Sequence, residues 1–422
     1  MRRILFVAMQ MSTHTARWIN QIADEGWDLH LFPVNHLPAI PEMRGVTIHQ
    51  PWHIFRPRRM IRSLFHHGPA PVENEQSQAG LPVKAIYPLP MIKPLVRAAT
   101  GAKYVRMGES KAQVPFAFGP HVLARLIRRL KPDLIHSLEF QHCGYNVLRA
   151  KELVGQGFPP WLATNWGSDI YYYRQFDDHR RQISRLLRNV DFYSCECERD
   201  VGIARELGMN AHVMPVMPNT GGLDLAEIDT VRCRSNPSKR RLVMVKGYQH
   251  FAGRALVALD AIERCSEALK GFKIVVFSAS VETIARVDEL RKDKKLYIEI
   301  LPYANHETML NLFGDARVYL GVSISDAIST SMLEAMATGA FPIQTNTSCC
   351  NEWIEDGKEG FVIPPDDVEF IADRLSRALL DDALVDSAAE RNWKTVCARL
   401  DSNLLQRKAV AFYDEIFDRL SG

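Results

Sequence analysis

With 422 residues, and about 150 residues per ordinary domain as the prior, the chain is too long for a single core and long enough for two. A hydrophobic share of 46% against 24% charged residues excludes a disordered or fibrous chain, and a net charge of +3 excludes nucleic-acid binding by bulk charge. Eight cysteines without a repeating frame, with Cys195/Cys197 and Cys349/Cys350 too close for an ordinary disulfide or zinc clip, suit a reduced cytoplasmic protein with no metal centre.

Met1-Arg2-Arg3 runs into the apolar strand Arg3 to Ala8 with no h-region, which reads as the absence of a secretory signal. No segment approaches the ~20 apolar residues of a membrane span. Helical spacing follows from Thr15 to Glu25, ended by Gly26, and Trp27 to Phe32 is the next strand, so the chain opens as β-α-β. From Asn35 to about Pro115 prolines and polar runs break the pattern, and Arg56, Arg58, Arg59 and Arg62 interleave with Met60, Ile61, Leu64 and Phe65. That stretch would fit an anionic membrane surface, or be a plain solvated face. Alternation resumes with helices from His121, Tyr145, Asp177 and Arg199 and strands at Leu134 to Ser137, Trp161 to Thr164 and Asp191 to Ser194.

Proline- and glycine-bearing segments, Pro215 to Gly222 and Arg232 to Arg241, mark a domain boundary. Strands are then expected at Leu242 to Val245, Phe272 to Ser278, Lys295 to Ile300, Val318 to Val322 and Phe341 to Gln344, with helices between them, as in a second doubly wound sheet. In such sheets ligands bind beyond the strand C-termini. Ser323 to Thr330, rich in small hydroxyl side chains, links one of those strands to a helix from Ser331, and its Ser325, Ser329, Thr330 and Ser331 suit a diphosphate at a helix N-terminus. Asp326 and Glu334 flank that loop and can accept from sugar hydroxyls, or serve as turn former and helix-dipole partner. Lys246 and Arg254 flank the Gly247 loop after the preceding strand, where they would neutralise a diphosphate or be ordinary surface cations. Ser12, Thr13 and His14 lie in the first β-α loop, where Ser12 or Thr13 would serve as N-cap or touch a ligand.

The segment Asp326 to Glu334, followed by Leu333-Glu334-Ala335-Met336-Ala337-Thr338-Gly339 and Pro342-Ile343, resembles the E-x7-E signature of family 4 of the retaining glycosyltransferases, with Asp in place of the first Glu. Glu352-Trp353-Ile354 and Gly360-Phe361-Val362-Ile363-Pro364 extend the likeness, and Trp166-Gly167-Ser168-Asp169 is similar to the family's His-Gly-Ser-Asp. His136 matches the first histidine of the family's His-x-His pair, but Leu138 stands at the second, which leaves Glu139 and His142 as the nearest substitutes.

The resemblance implies a GT-B fold: α/β, with two Rossmann-like doubly wound domains facing across a cleft. These would be an N-terminal acceptor domain over residues 1–222, a C-terminal donor domain over 223–400, and a final helix from 401 to 422 returning to the first. It implies a retaining glycosyltransferase with a nucleotide-sugar donor as substrate, no cofactor, and a glycan or lipid-linked acceptor. Asp326, Lys246, Arg254 and Glu139 would be the catalytic set. Glu334, the hydroxyl loop, Gly247 and Tyr303 would bind the donor, and the Ser12 loop with Asp169 would face acceptor or phosphate. The alternatives are a sugar-nucleotide epimerase or a non-catalytic nucleotide-sugar binding protein of the same fold.

Overall fold

The computed structural model describes residues 1–34, 39–49, 119–294 and 296–422, and the backbone of three short strands, Lys84–Ile86, Tyr104–Met107 and Ala112–Pro115. The basic stretch Arg56 to Arg62 lies outside the described residues. Two compact units result: Met1–Gly221 with Gln406–Gly422, and Gly222–Leu405. Both are α/β with parallel sheets.

In the first unit the strands are β1 (Arg3–Ala8), β2 (Asp28–Pro33), β3 (Thr47–His49), β4 (Lys84–Ile86), β7 (Leu134–Leu138), β8 (Trp161–Thr164), β9 (Phe192–Ser194) and β10 (His212–Val213). Their order in the sheet is β10-β9-β8-β7-β1-β2-β3-β4, while β5 (Tyr104–Met107) and β6 (Ala112–Pro115) form a separate antiparallel hairpin. Ile4 to Val7 are fully buried, as a strand covered on both faces requires. The chain leaves β1 on one side for β2 and returns on the other as β7, so the sheet reverses direction beside β1.

The second unit orders β11 (Leu242–Lys246), β12 (Lys273–Phe277), β13 (Ile298–Leu301), β14 (Ala316–Gly321), β15 (Phe341–Thr345) and β16 (Phe361–Ile363) as β13-β12-β11-β14-β15-β16. Its reversal falls between β11 and β14.

Three local expectations need correction. The first helix is only Thr13–Asn20; tighter bonds from Ile22 N–H to Ile19 O and from Ala23 N–H to Asn20 O then carry the chain as turns towards Gly26. β13 starts at Ile298, three residues later than the sequence suggests. Between the two segments read as a boundary, where the pattern suggested no element, lies a helix, Leu225–Arg232, capped by Asp224. Among the described residues no helix is long and apolar enough to cross a membrane.

A buried polar chain ties the C-terminal helix Ser402–Ser421 to the first sheet. Trp18 Nε1, which can only donate, gives its proton to the Tyr413 hydroxyl at 2.8 Å. The same hydroxyl pairs with His136 Nδ1 at 2.7 Å, and His136 Nε2 pairs with Thr164 Oγ1 at 2.7 Å. Thr164 in turn meets Ser194. Burial pulls the His136 pKa down to about 3, so the ring is neutral.

Tyr413→Phe removes the hydroxyl on which two buried N-groups depend, so a loss of about 1–3 kcal/mol is expected in denaturant unfolding. His136 also predicts a pH dependence. Its native pKa lies below the unfolded value of 6.5, so the unfolded chain takes up the proton first, and stability falls as pH drops from 6.5 towards 3. Unfolding midpoints at pH 7 and pH 4.5 should show this decline, and His136→Gln should flatten it by one proton's worth.

Candidate active site

The reversal between β11 and β14 places two loops side by side at the strand C-termini. Gly247–Arg254 leads from β11 into the helix Ala255–Arg264, and Val322–Ser329 leads from β14 into the helix Thr330–Thr338. They are joined through backbone: Arg254 N–H donates to Val322 O at 2.9 Å and Ile324 N–H to Ala252 O at 2.8 Å. Two glycines give the first of these loops room for its own tight path. A Cβ on Gly247 would stand 2.8 Å from the backbone of Phe277 and Ala279, and one on Gly253 would stand 2.3 Å from Tyr248 O.

Lys246 ends β11 with its Nζ 3.9 Å from Asp326 Oδ2. Burial works against its charge, but Tyr319, Asp326, Tyr248 and Glu334 together outweigh it and hold the ammonium above its ordinary pKa. Asp326 is fixed by its loop: its N–H donates to Thr347 O at 3.2 Å and its Oδ1 accepts from Ala327 N–H at 3.0 Å. Ser329 occupies the N-cap position, yet its hydroxyl meets Tyr319 at 3.2 Å instead of the helix's own N–H groups. Thr330 and Ser331 form the helix's first turn. The Ser325 hydroxyl is buried with no hydrogen-bond partner among the described residues. Arg254 folds one guanidinium nitrogen onto its own loop, donating to His250 O at 2.9 Å and Gly253 O at 2.8 Å.

Glu334 is the fifth residue of its helix and buried, and its Oε1 lies 3.0 Å from His306 Nε2. The sequence pattern placed His306 at the start of a helix but did not single it out as a site residue; Asn305 caps that helix by accepting from Thr308 N–H at 2.8 Å. Tyr303, in the same connection, is fully exposed and stands apart from this cluster. Burial pushes the Cys350 thiol up to about 12, which makes it a packing group.

In the first unit Ser12 sits at the N-cap position but makes no side-chain cap bond, Thr13 opens the helix, and the His14 ring lies 5.7 Å from Trp166. Glu139 corrects the sequence reading. Its backbone has φ +82°, and its carboxylate accepts from the N–H groups of Gln141, His142 and Cys143 at 2.7 to 3.1 Å and from His142 Nδ1 at 3.0 Å. Burial alone would raise its pKa, but His142 and these N–H donors win and lower it. Asp169 takes the neighbouring donors, Phe140 N–H at 2.9 Å and Trp166 N–H at 2.8 Å, and its pKa is raised by burial and by the Glu139 charge. Both carboxylates therefore build the short π-helical turn Phe140–Gly144, and Glu139 has no oxygen left over for base chemistry.

Two parallel α/β units with their loops gathered at a switch point define the GT-B class of glycosyltransferase. A model described as "Glycosyl transferases group 1" matches residues 239–381, and one described as "Glycosyl transferase 4-like" matches 97–195, between them more than half of the chain. The chain belongs to this glycosyltransferase family. No curated protein matches it by sequence. Solved structures share the fold. HepE from Anabaena in complex with UDP and glucose is 13% identical, with 100% of both chains covered and a TM-score of 0.62. The sucrose-phosphate synthase of Thermosynechococcus elongatus is 14% identical over 99% of this chain and 100% of its own, at 0.64. A TarM variant from S. aureus, solved with Fondaparinux, alpha-GlcNAc-glycerol and UDP, is 8% identical over 97% and 99%, at 0.64.

Gly253→Ala should collide with Tyr248 O and distort the loop that carries Arg254. A loss of about 1–3 kcal/mol in urea unfolding is expected, and unchanged stability would mean that the loop yields freely.

Proposed function

We propose that the chain is a retaining glycosyltransferase that moves a sugar from a nucleotide-sugar donor to a glycan or lipid-linked acceptor of surface polysaccharide synthesis. The observation that carries this reading is Lys246, a largely buried ammonium kept charged at the switch point and joined there by Arg254. The N-terminus of Thr330–Thr338 and the unpartnered Ser325 hydroxyl supply neutral donors in the loop that follows the adjacent strand. Such a set suits a diphosphate, and the UDP present in the HepE and TarM structures supports the same ligand class.

In the proposed reaction the bond between the anomeric carbon and the diphosphate oxygen breaks, and its electron pair leaves with the diphosphate. The acceptor hydroxyl oxygen bonds to that carbon on the same face, and its proton passes to the departing phosphate oxygen. Lys246 and Arg254 meet the charge that develops there. Asp326, held by its own loop and by Lys246, accepts from a hydroxyl of the donor sugar. Glu334 keeps Oε2 for the nucleotide's ribose while His306 holds Oε1. This route asks for no base from the first unit, in keeping with the engaged oxygens of Glu139.

The test is thermal stabilisation by UDP, GDP, ADP and their sugars, since a ligand at 100 times its Kd adds about 2.7 kcal/mol. One nucleotide family should shift the wild type, and Lys246→Ala and Glu334→Ala should abolish the shift. Absence of any shift in the wild type would sink the reading, and stabilisation without turnover of the nucleotide sugar would favour a non-catalytic binder.

A further inference from the structure

We infer that His250 is a third ligand of the donor's diphosphate, its Nε2–H donating to a phosphate oxygen beside Lys246 and Arg254. This rests on the nucleotide-sugar reading above and adds to it a residue type that neither the motif nor the cation pair called for.

The loop determines which ring nitrogen carries the proton. His250 Nδ1 accepts from two backbone donors, Ala252 N–H at 3.0 Å and Gly253 N–H at 3.2 Å. A nitrogen that accepts cannot carry the proton, so the hydrogen of the neutral ring is on Nε2, across the ring from the loop backbone. The ring plane is held as well. Phe251 stacks on it at 5.0 Å and 30°, and Tyr248 lies 5.2 Å away on a tilted plane. His250 O is one of the carbonyls that receives Arg254 Nη1, so imidazole and guanidinium are set by the same turn.

Electrostatics agrees with a neutral donor. Burial, then the charges of Lys246 and Arg254, lowers the His250 pKa, with Asp326 opposing. The ring therefore stays uncharged among cations and offers an N–H without adding to their mutual repulsion. Cation repulsion limits how many charged groups can surround an empty diphosphate site, and a neutral N–H avoids that limit. The other task these bonds suggest, holding the loop, uses Nδ1 alone and leaves the exposed edge of the ring without a role.

Three variants separate the two tasks. His250→Asn keeps an acceptor near Nδ1 and removes the distal donor, His250→Gln keeps a distal donor and loses the acceptor, and His250→Ala loses both. Each is titrated with UDP, GDP and ADP and with the matching nucleosides, and the thermal midpoint without ligand is recorded for each. For the nucleotide that the wild type binds, Asn and Ala should weaken the diphosphate by about tenfold or more while leaving the nucleoside unchanged, and Gln should recover part of the loss. If Asn binds the diphosphate as the wild type does, or if Gln is no better than Ala, the ring is only a loop cap and the inference is overturned while the donor site stands. A wild type that binds none of the three diphosphates overturns both.

Discussion

Two backbone hydrogen bonds, Arg254 N–H to Val322 O and Ile324 N–H to Ala252 O, set the position of every group in the second unit's site. A parallel sheet delivers its strand ends to one edge but does not by itself fix the loops that leave it. Here the loops after β11 and β14 satisfy each other's backbone, which ties the Lys246 loop to the Asp326 loop. Gly253 lets the first of these loops fold back on itself at that junction, because any side chain there would meet the carbonyl of Tyr248. The geometry of the charged groups follows from a steric allowance in the backbone.

That arrangement explains why a lysine can remain charged with a side chain only one fifth exposed. Desolvation disfavours the ammonium, but Asp326 is turned towards it by its own Asp326–Ala327 contact, and Glu334 and the Tyr319 phenol add negative potential. At 3.9 Å the Lys246–Asp326 pair is longer than a direct hydrogen bond, so the ammonium keeps donors for a ligand. A tighter pair would be a better salt bridge and a poorer anion site.

Much of this was legible in the sequence. Lys246, Gly247, Arg254 and the Ser325 to Glu334 segment all follow strands whose continuous apolar runs mark a covered parallel sheet, and the strand-end rule then puts them on one edge. His250 and His306 were not legible, since a histidine's role depends on which backbone groups reach its ring, and those contacts are made by residues whose own positions the fold decides. Glu139 was misread for a related reason. Nothing in Leu138-Glu139-Phe140 announces a residue at φ +82° or a π-helical turn, and without them Glu139 reads as a substitute for the missing second histidine. Helix Leu225–Arg232 did carry its signal, Asp224 as N-cap, but lies among prolines and glycines that suggested a linker.

Buried cations at the two ends of the same strands show how burial and function part company. At the start of β14, Arg317 donates to Ala378 O and Ser238 O, both at 2.9 Å, and just before β11 Arg240 donates to Ala316 O and Thr338 O at 3.1 and 2.9 Å. These guanidiniums satisfy carbonyls that helices and strand ends leave over, and Arg317 also pairs with Asp382 at 2.6 Å, so both arginines spend their donors within the fold. Among the described residues, Lys246, at the opposite end of β11, meets no comparable set of carbonyls. The groups that sustain its charge are side chains on β14, on both loops and on the second loop's helix, and its pKa is raised whereas that of Arg240 is pulled down to about 10 by burial. A cation held by side-chain charge rather than by backbone acceptors retains its donors for something from outside the chain. That difference, more than burial or sequence spacing alone, is what sets the C-terminal edge of this sheet apart and makes it the edge on which the proposed donor site rests.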